Sequence, residues 1–586
     1  MQQLNNELSL AQFLAKPATG FKASLIKVAD KLLGINKLNQ LYQQHGFAHL
    51  DGQDFLDAFV RLFKLNINSN FHNLAKDKPL IIVANHPLGG VDGVVLLREL
   101  LKQRSDVKVL ANLGLSLFKP LQKYFIFTNP LQAGATGNVT SLRMCEQHLQ
   151  QKGVLVVFPA GRVSYYQKAF NTVSDHRWNR SFIKLAERYN ADILPVHIQA
   201  SNRKRFYFFG RIYFRFRLLM LVREMLASTN KNIQLTMTTT IDNTAIPNLS
   251  TLQQSDLVRL ATYLQQPSLQ GDWPAVESVK MQALAPAASG DLMAAEVNKI
   301  AEAQTLVSYK TWLVLHADGE QIPHCLAQIR RLREQTFRDW QEGSGAAQDG
   351  DDFDYSYQHL FIFDQQQQQI IGAYRMGQTD QISPTYLEQM FNFSAKFVGK
   401  QTACLEMGRS FIVSEYQRSY QALLMLFKGI GHFVVKYPKY RTLYGTVSLS
   451  RCYRPLSIYL IEQFLIKQPD SSAIAKQSFT HAKIAEVQRF LDSAQQQNKI
   501  SSASKIEILD WLVKQIEPDN KGLPVLVKQY HQLGAEFIAL AIDGQFAQTP
   551  GLLLKVHLPD TADKWLKLYL GKNWQNYRDF NIEFAD

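Results

Sequence analysis

LIIVANHPLGGVDGVVLLREL occupies residues 80–100. Its first five residues, 80–84, are apolar without alternation, which reads as a strand buried on both faces. Asn85, His86 and Pro87 leave that strand, Gly89 and Gly90 permit a tight turn, and Asp92 precedes an apolar helical run. His86 is therefore expected at a strand's carboxyl end, where α/β sheets gather their sites, with Asp92 close by across the glycine-rich loop. A neutral imidazole oriented by a carboxylate can take a proton from a hydroxyl, and the carboxylate fixes the tautomer and stabilises the imidazolium. The plain alternative is that Asp92 caps the helix and His86 is a turn residue.

Outward from this stretch the texture repeats. Apolar runs at 80–84, 107–112, 154–159 and 192–198 alternate with helical segments at 93–104, 138–152 and 178–190. That alternation predicts an α/β sandwich on a largely parallel sheet. Residues 1–60 read as mostly helical. The small-residue stretch ALAPAASGD (283–291) suggests a linker over 266–304, between a first domain at 1–265 and a second at 305–586. The second domain predicts an α+β pattern. It has a helix around 323–340 and another near 420–436. Its strands are expected at 358–364, 370–376, 402–413 and 442–449, with QQQQQ (365–369) at a hairpin tip.

The chain has 586 residues, 46% of them hydrophobic and 19% charged, which excludes a disordered or fibrous protein. Its net charge of +14 is unevenly spread: residues 1–280 hold 33 basic and 18 acidic side chains, and the rest is close to neutral. Such asymmetry points to a polyanionic partner for the first half. Cys145, Cys325, Cys404 and Cys452 form no CxxC pair and no disulfide framework. No signal peptide, membrane-spanning run, GxxxxGK loop or metal-ligand spacing is found, so a cytoplasmic setting without a metal is expected. NRKRFYFFGRIYFRFR (202–217) holds six basic and seven aromatic residues and no acidic one. It reads as an anionic-membrane contact, a pair of strands or a nucleic-acid surface, and its aromatic density favours the membrane.

VLVVFPAGRVS (154–164) and ILPVHI (193–198), following the His86 stretch in this order, resemble the glycerolipid, lysophosphatidate-type O-acyltransferase family over residues 70–250. The resemblance implies that His86 and Asp92 are catalytic and that Arg162 and Ser164 bind substrate. Two departures stand out: five residues separate His86 from Asp92 where the family has four, and Ala160 replaces a glutamate. The first occurs in a hemolysin-like branch. The second argues against plain lysophosphatidate as acceptor.

In the second half, charges sit inside apolar strands, where they are costly unless paired. The motifs are RLREQTFRDWQEGSG (331–345), DGDDFD (349–354), IIGAYRMG (370–377) and CLEMGRSFIV (404–413). Glu406 and Arg409 would face opposite sides of a strand unless a bulge at Gly408 re-aims one. A structural ion-pair network is the plain reading. The set resembles the acyltransferases that include ornithine-lipid N-acyltransferases and, more remotely, acyl-homoserine lactone synthases. Arg333, Phe337, Trp340, Asp351, Asp354, Arg375, Glu406 and Arg409 match their motifs. LPVLVKQYHQLGAEF (523–537) and AIDGQF (541–546) also look like the C-terminal signature of the ornithine branch. The resemblance implies a GNAT-like fold, Glu406 as proton acceptor, and substrate-binding roles for Arg333, Asp351, Asp354, Arg375 and Arg409. SEYQRSYQALLML lacks the glycines of the usual pyrophosphate loop, which leaves Arg418 and helix-start amides to hold a phosphopantetheine phosphate.

Joined on one chain, the two halves resemble bifunctional ornithine lipid synthases. The C-terminal domain would N-acylate ornithine with a 3-hydroxyacyl chain from acyl carrier protein or coenzyme A. The N-terminal domain would then O-acylate the hydroxyl of lyso-ornithine lipid. The implied partners are acyl carrier protein and an anionic membrane surface, not nucleic acid, and the implied location is peripheral, on the cytoplasmic face of the bacterial inner membrane. No bound cofactor is implied. Glycine or another amino acid in place of ornithine, and a membrane-surface or nucleic-acid binding protein with degenerate sites, are the alternatives.

Overall fold

The computed structural model describes residues 27–28, 30–112, 118–128, 136–212, 214–273, 280–466, 470–496 and 501–580. Two compact units divide the chain: Met1–Gln270 with Lys483–Ile516, and Gly271–Ala482 with Glu517–Asp586.

The first unit holds strands β1 (Asn66–Ser69), β2 (Leu80–Ala84), β3 (Val107–Asn112), β4 (Phe125–Thr128), β5 (Val154–Val157), β6 (Tyr165–Gln167), β7 (Thr172–Ser174), β8 (Asp192–Gln199) and β9 (Asn232–Met237). Seven of them form one sheet in the order β1-β9-β8-β2-β5-β3-β4. β2 runs parallel to β5 and β8 on either side, and only the β8–β9 pair is antiparallel. Every residue of β2 and β5 is buried, as the unbroken apolar runs predict. Each fully buried Ile or Val there contributes about 1.5–3 kcal/mol. The sheet delivers the end of β2 straight into the His86 loop. β6 and β7 form a separate hairpin just after β5.

The second unit holds β10 (Thr305–Tyr309), β11 (Trp312–Asp318), β12 (Gln358–Asp364), β13 (Gln369–Gln378), β14 (Phe391–Phe393), β15 (Cys404–Ile412), β16 (Thr442–Ser448), β17 (Ala473–Ala475), β18 (Glu536–Asp543) and β19 (Thr549–His557). Eight build a sheet in the order β10-β11-β12-β13-β15-β16-β19-β18. All neighbours are antiparallel except β15 and β16, which pair in parallel from Cys404–Thr442 to Met407–Gly445 and then part. Beyond that point β15 pairs with β13 and β16 with β19. The polyglutamine tip lies at the β12–β13 turn, as expected.

Two expectations and one of the alternative readings need correction. The span 266–304 is not a plain linker: Gly290–Gln304 is a helix whose Met293 and Val297 are buried in the second unit's core. The small-residue stretch ends at the helix N-cap Ser289, and an amphipathic run begins there. Residues 483–516 belong with the first unit, so the second domain is not continuous over 305–586. The basic-aromatic stretch forms helices Lys204–Ile212 and Phe214–Leu226, not strands; Phe206 is buried while Phe208 and Phe209 are exposed. Among the described residues no helix is long and apolar enough to cross a membrane.

Candidate active sites

In the first unit, His86 Nδ1 lies 2.9 Å from Asp92 Oδ2. Asp92 is the third residue of the helix Gly90–Leu101, and the same oxygen accepts the backbone N–H groups of Leu88 (2.8 Å) and Gly89 (3.0 Å). The capping and orienting readings are thus both realised by one carboxylate. Burial raises the Asp92 carboxyl above the usual range, against the lowering effect of His86. With Nδ1 engaged, Nε2 is the ring nitrogen left to accept a proton. Gly89 has φ 84°. A side chain there would be strained and would press within 3.1 Å of Leu221 and 3.3 Å of Val163.

The loop is held on all sides. Asn85 closes β2 onto β8: its Oδ1 accepts the Ile198 N–H (2.7 Å) and its Nδ2 donates to the Ile198 carbonyl (3.0 Å). Asn202 Nδ2 donates to the Pro87 carbonyl at 3.0 Å. Phe158 packs its ring 4.4 Å from the imidazole. The Ser164 N–H donates to the His86 carbonyl at 2.9 Å, and the Ser164 hydroxyl donates to Asp175 Oδ1 at 2.5 Å. That carboxylate also accepts the His86 N–H (3.2 Å) and the Trp178 indole N–H (2.9 Å). Ser164 is therefore a buried strut of the His86 loop, while Arg162 is exposed beside it. Asp175, fully buried, was invisible in the sequence because its tie to the His86 loop spans 89 positions.

In the second unit a cavity opens where β15 and β16 part, lined among others by Arg375, Glu406, Arg409, Tyr444, Ser448 and Asp543. Ala373 faces Phe411 and Arg375 faces Gly408, so β15 carries one extra residue, and Arg409 adopts φ 50°. That bulge brings Glu406 and Arg409 to one cavity. Glu406 Oε1 accepts the Tyr357 hydroxyl (2.8 Å) and the Leu387 N–H (3.1 Å). Burial raises its pKa, although hydroxyls of Thr385, Tyr357 and Tyr444 favour the charged form.

The acidic run DGDDFD meets the arginines. Arg333 grips Asp354 with Nη1 and Nη2, both at 2.9 Å, and its Nε lies 3.0 Å from Asp349. Arg375 Nη1 bonds Asp351 and Asp354. Arg409 Nε lies 3.3 Å from Asp349, and its Nη2 donates to Tyr386 Oη at 3.1 Å. Burial alone would raise the Asp354 carboxyl, but Arg333 and Arg375 hold it far below its usual range. Arg333, Asp351 and Asp354 do not line the cavity; they fix Arg375 and Arg409, which do. Arg418 is exposed ahead of the helix Tyr420–Lys436 and is also absent from the cavity wall.

Glu342 escaped sequence reasoning. It is buried, accepts the Ser448 hydroxyl at 3.1 Å, and burial pushes its carboxyl up to about 7. It does not line the cavity itself and meets its wall through Ser448.

An Acyltransferase family matches residues 11–272, and an Acetyltransferase (GNAT) domain family matches residues 332–427. The chain is 28% identical over 193 residues to a lyso-glycine lipid O-acyltransferase of Phocaeicola vulgatus, covering 32% of this chain and 67% of that protein. It is also 29% identical over 173 residues to a glycine N(alpha)-acyltransferase of Bacteroides thetaiotaomicron, covering 27% of this chain and 50% of that protein. The solved 1-acyl-sn-glycerophosphate acyltransferase of Thermotoga maritima is similar at 15% identity with a TM-score of 0.27, covering 42% of this chain and 99% of that one. One chain thus carries an N-terminal acyltransferase domain and a C-terminal GNAT domain, and the protein is an acyltransferase.

Proposed function

We propose that the protein makes a diacylated aminolipid in two steps, N-acylation in the second unit and O-acylation in the first. The carrying observation is that the chain is similar both to an amino-acid N-acyltransferase and to a lyso-lipid O-acyltransferase, two activities whose products and substrates connect. In the first step the amine attacks an acyl thioester of acyl carrier protein or coenzyme A; the C–N bond forms and the thiol leaves. Glu406, on the cavity wall, is placed to take the ammonium proton, and Glu342 reaches that wall through the Ser448 hydroxyl. Arg375 and Arg409 orient the amino acid's carboxylate or the thioester arm. In the second step His86, oriented by Asp92, takes the proton of the 3-hydroxyl as it attacks a second thioester. A tethered second site raises the effective concentration of the first product.

Ornithine is the amino acid we assign. The AIDGQF signature supplies Asp543, a buried carboxylate of the cavity wall suited to a side-chain ammonium. Glycine is the second reading, favoured by the activities named for the relatives. The protein works at the cytoplasmic face of an anionic membrane: exposed Phe208 and Phe209 stand among exposed Lys204, Arg205 and Arg211 on one short helix.

Mass spectrometry of lipids from a host lacking aminolipids tests this. Wild type should yield the diacylated lipid, His86→Ala the lyso form alone, and Glu406→Ala neither. Full product from His86→Ala would overturn the first-unit assignment. The mass of the headgroup separates ornithine from glycine.

A further inference from the structure

The two residues that hold the His86 backbone each have a neighbour in an unusual cluster. Tyr165 follows Ser164, and His176 follows Asp175; their rings stack at 4.2 Å with planes 23° apart. The guanidinium of Arg217 lies over the Tyr165 ring at 4.8 Å. Arg489 Nη1 donates to the Asp175 carbonyl at 2.9 Å, which fixes it one residue from His176. Arg162 stands on the turn between β5 and Ser164. Burial pushes the His176 imidazole down to about 4, and the charges of Arg162, Arg217 and Arg489 press in the same direction. His176 Nε2 is buried and has no hydrogen-bond partner among the described residues.

The nearest carboxylates are already engaged. Asp175 is taken by Ser164, Trp178 and the His86 amide. Glu486 is taken by Arg259. Arg162 and Arg489, with Arg217 held over the Tyr165 ring and an imidazole nitrogen that has no partner among the described residues, lie next to the loop of a proton acceptor and form a recognition surface for an anion. A guanidinium matches a carboxylate or phosphate in a planar, two-bond geometry.

We propose that the first unit holds an anion subsite built by Arg162, Arg217, His176 and Arg489, which takes the carboxylate of the lyso-lipid headgroup while its hydroxyl meets His86. Arg489 comes from the helix Ala485–Gln496, outside the span matched by the Acyltransferase family, so that helix is a working part of the O-acyl site. The choice of carboxylate rests on the function proposed above; the anion chemistry does not. The phosphate of a phosphopantetheine arm shares that chemistry and is the other source.

Binding to the full chain, measured calorimetrically without acyl donor, tests this with N-octanoylglycine, its neutral methyl ester, and 4′-phosphopantetheine. The acid should bind at least tenfold more tightly than the ester, and Arg489→Gln and His176→Phe should each erase that preference, with Arg489→Lys restoring part of it. Thermal unfolding checks that the variants are folded. An Arg489-dependent preference confined to phosphopantetheine keeps the subsite and assigns it to the donor. Equal binding of acid and ester, with no phosphopantetheine binding, overturns the subsite. Acid-selective binding without any O-acylation of lyso-lipid keeps the subsite and overturns the functional reading instead. In turnover, Arg489→Gln should raise the acceptor KM about tenfold and leave the rate of N-acylation unchanged.

Discussion

His86 Nδ1 and Asp92 Oδ2 lie 2.9 Å apart across the turn that joins β2 to its helix, and Asp92 also caps that helix. The two tasks can be separated by substitution. Asp92→Asn keeps an oxygen for the backbone amides but loses the charge that stabilises an imidazolium. It should lower O-acylation by about 10²–10⁴-fold, the usual size of a lost acid–base contribution, and leave N-acylation intact. Accumulation of lyso-lipid, followed by mass spectrometry, is the readout.

Glu342 should impose a pH dependence on the second unit. Burial pushes its carboxyl up from the ordinary 4.5 to about 7, so the folded state holds the extra proton between those values. The stability it contributes is full below about 4.5 and is lost as pH rises toward 7. Urea unfolding of Glu342→Gln should show a flatter stability profile across that window. Wild-type N-acylation should rise through pH 7, and Glu342→Gln should lose that limb.

Breaking the arginine–aspartate network should be costly. Asp354→Ala removes the carboxylate shared by Arg330, Arg333 and Arg375 and leaves Asp349 and Asp351 to balance them; removing one partner of a buried pair costs about 3–5 kcal/mol. Asp351→Asn should cost less, since Asp351 is 28% exposed. Arg418→Ala, on the surface, should change neither stability nor N-acylation by more than about 0.5 kcal/mol. Denaturant midpoints and N-acylation rates check all three.

Two glycines at the parting of β15 and β16 should behave oppositely. A Cβ at Gly445 would sit 2.3 Å from the Met407 carbonyl oxygen, a backbone atom that cannot step aside, whereas one at Gly408 meets nothing within 4 Å. Gly445→Ala should abolish N-acylation or folding of the unit, and Gly408→Ala should be tolerated, as read by activity and thermal unfolding.

Local features were legible in advance. β2, β5 and β8 announced themselves as apolar runs, and His86 and Asp92 lie on either side of one short turn. The bulge that turns Arg409 toward Glu406 was anticipated as a condition at Gly408, because a strand carrying two such charges needs one. Short or polar strands such as β1 (NINS) and β4 (FIFT) carry too little pattern to be seen. Asp175, His176 and Glu342 were illegible because their meaning comes from contacts at long sequence separation. Arg489 reaches the Asp175 carbonyl across 314 positions. The strand-pair reading of the basic-aromatic stretch fails because bulky aromatic residues suit strands and helices alike when one face is buried, as Phe206 is here.

The return of residues 483–516 to the first unit sets an order of biogenesis. A ribosome making roughly 5–20 residues per second needs about 12–50 s to travel from residue 270 to residue 516. Until then Arg259 lacks its Glu486 partner, and the face of its helix that Ala485–Gln496 covers is open. A fragment stopped at residue 272 carries that defect permanently, so cutting the gene between its two domains should yield an insoluble or inactive first half. The unit translated first is thus completed late, after most of the second has been made.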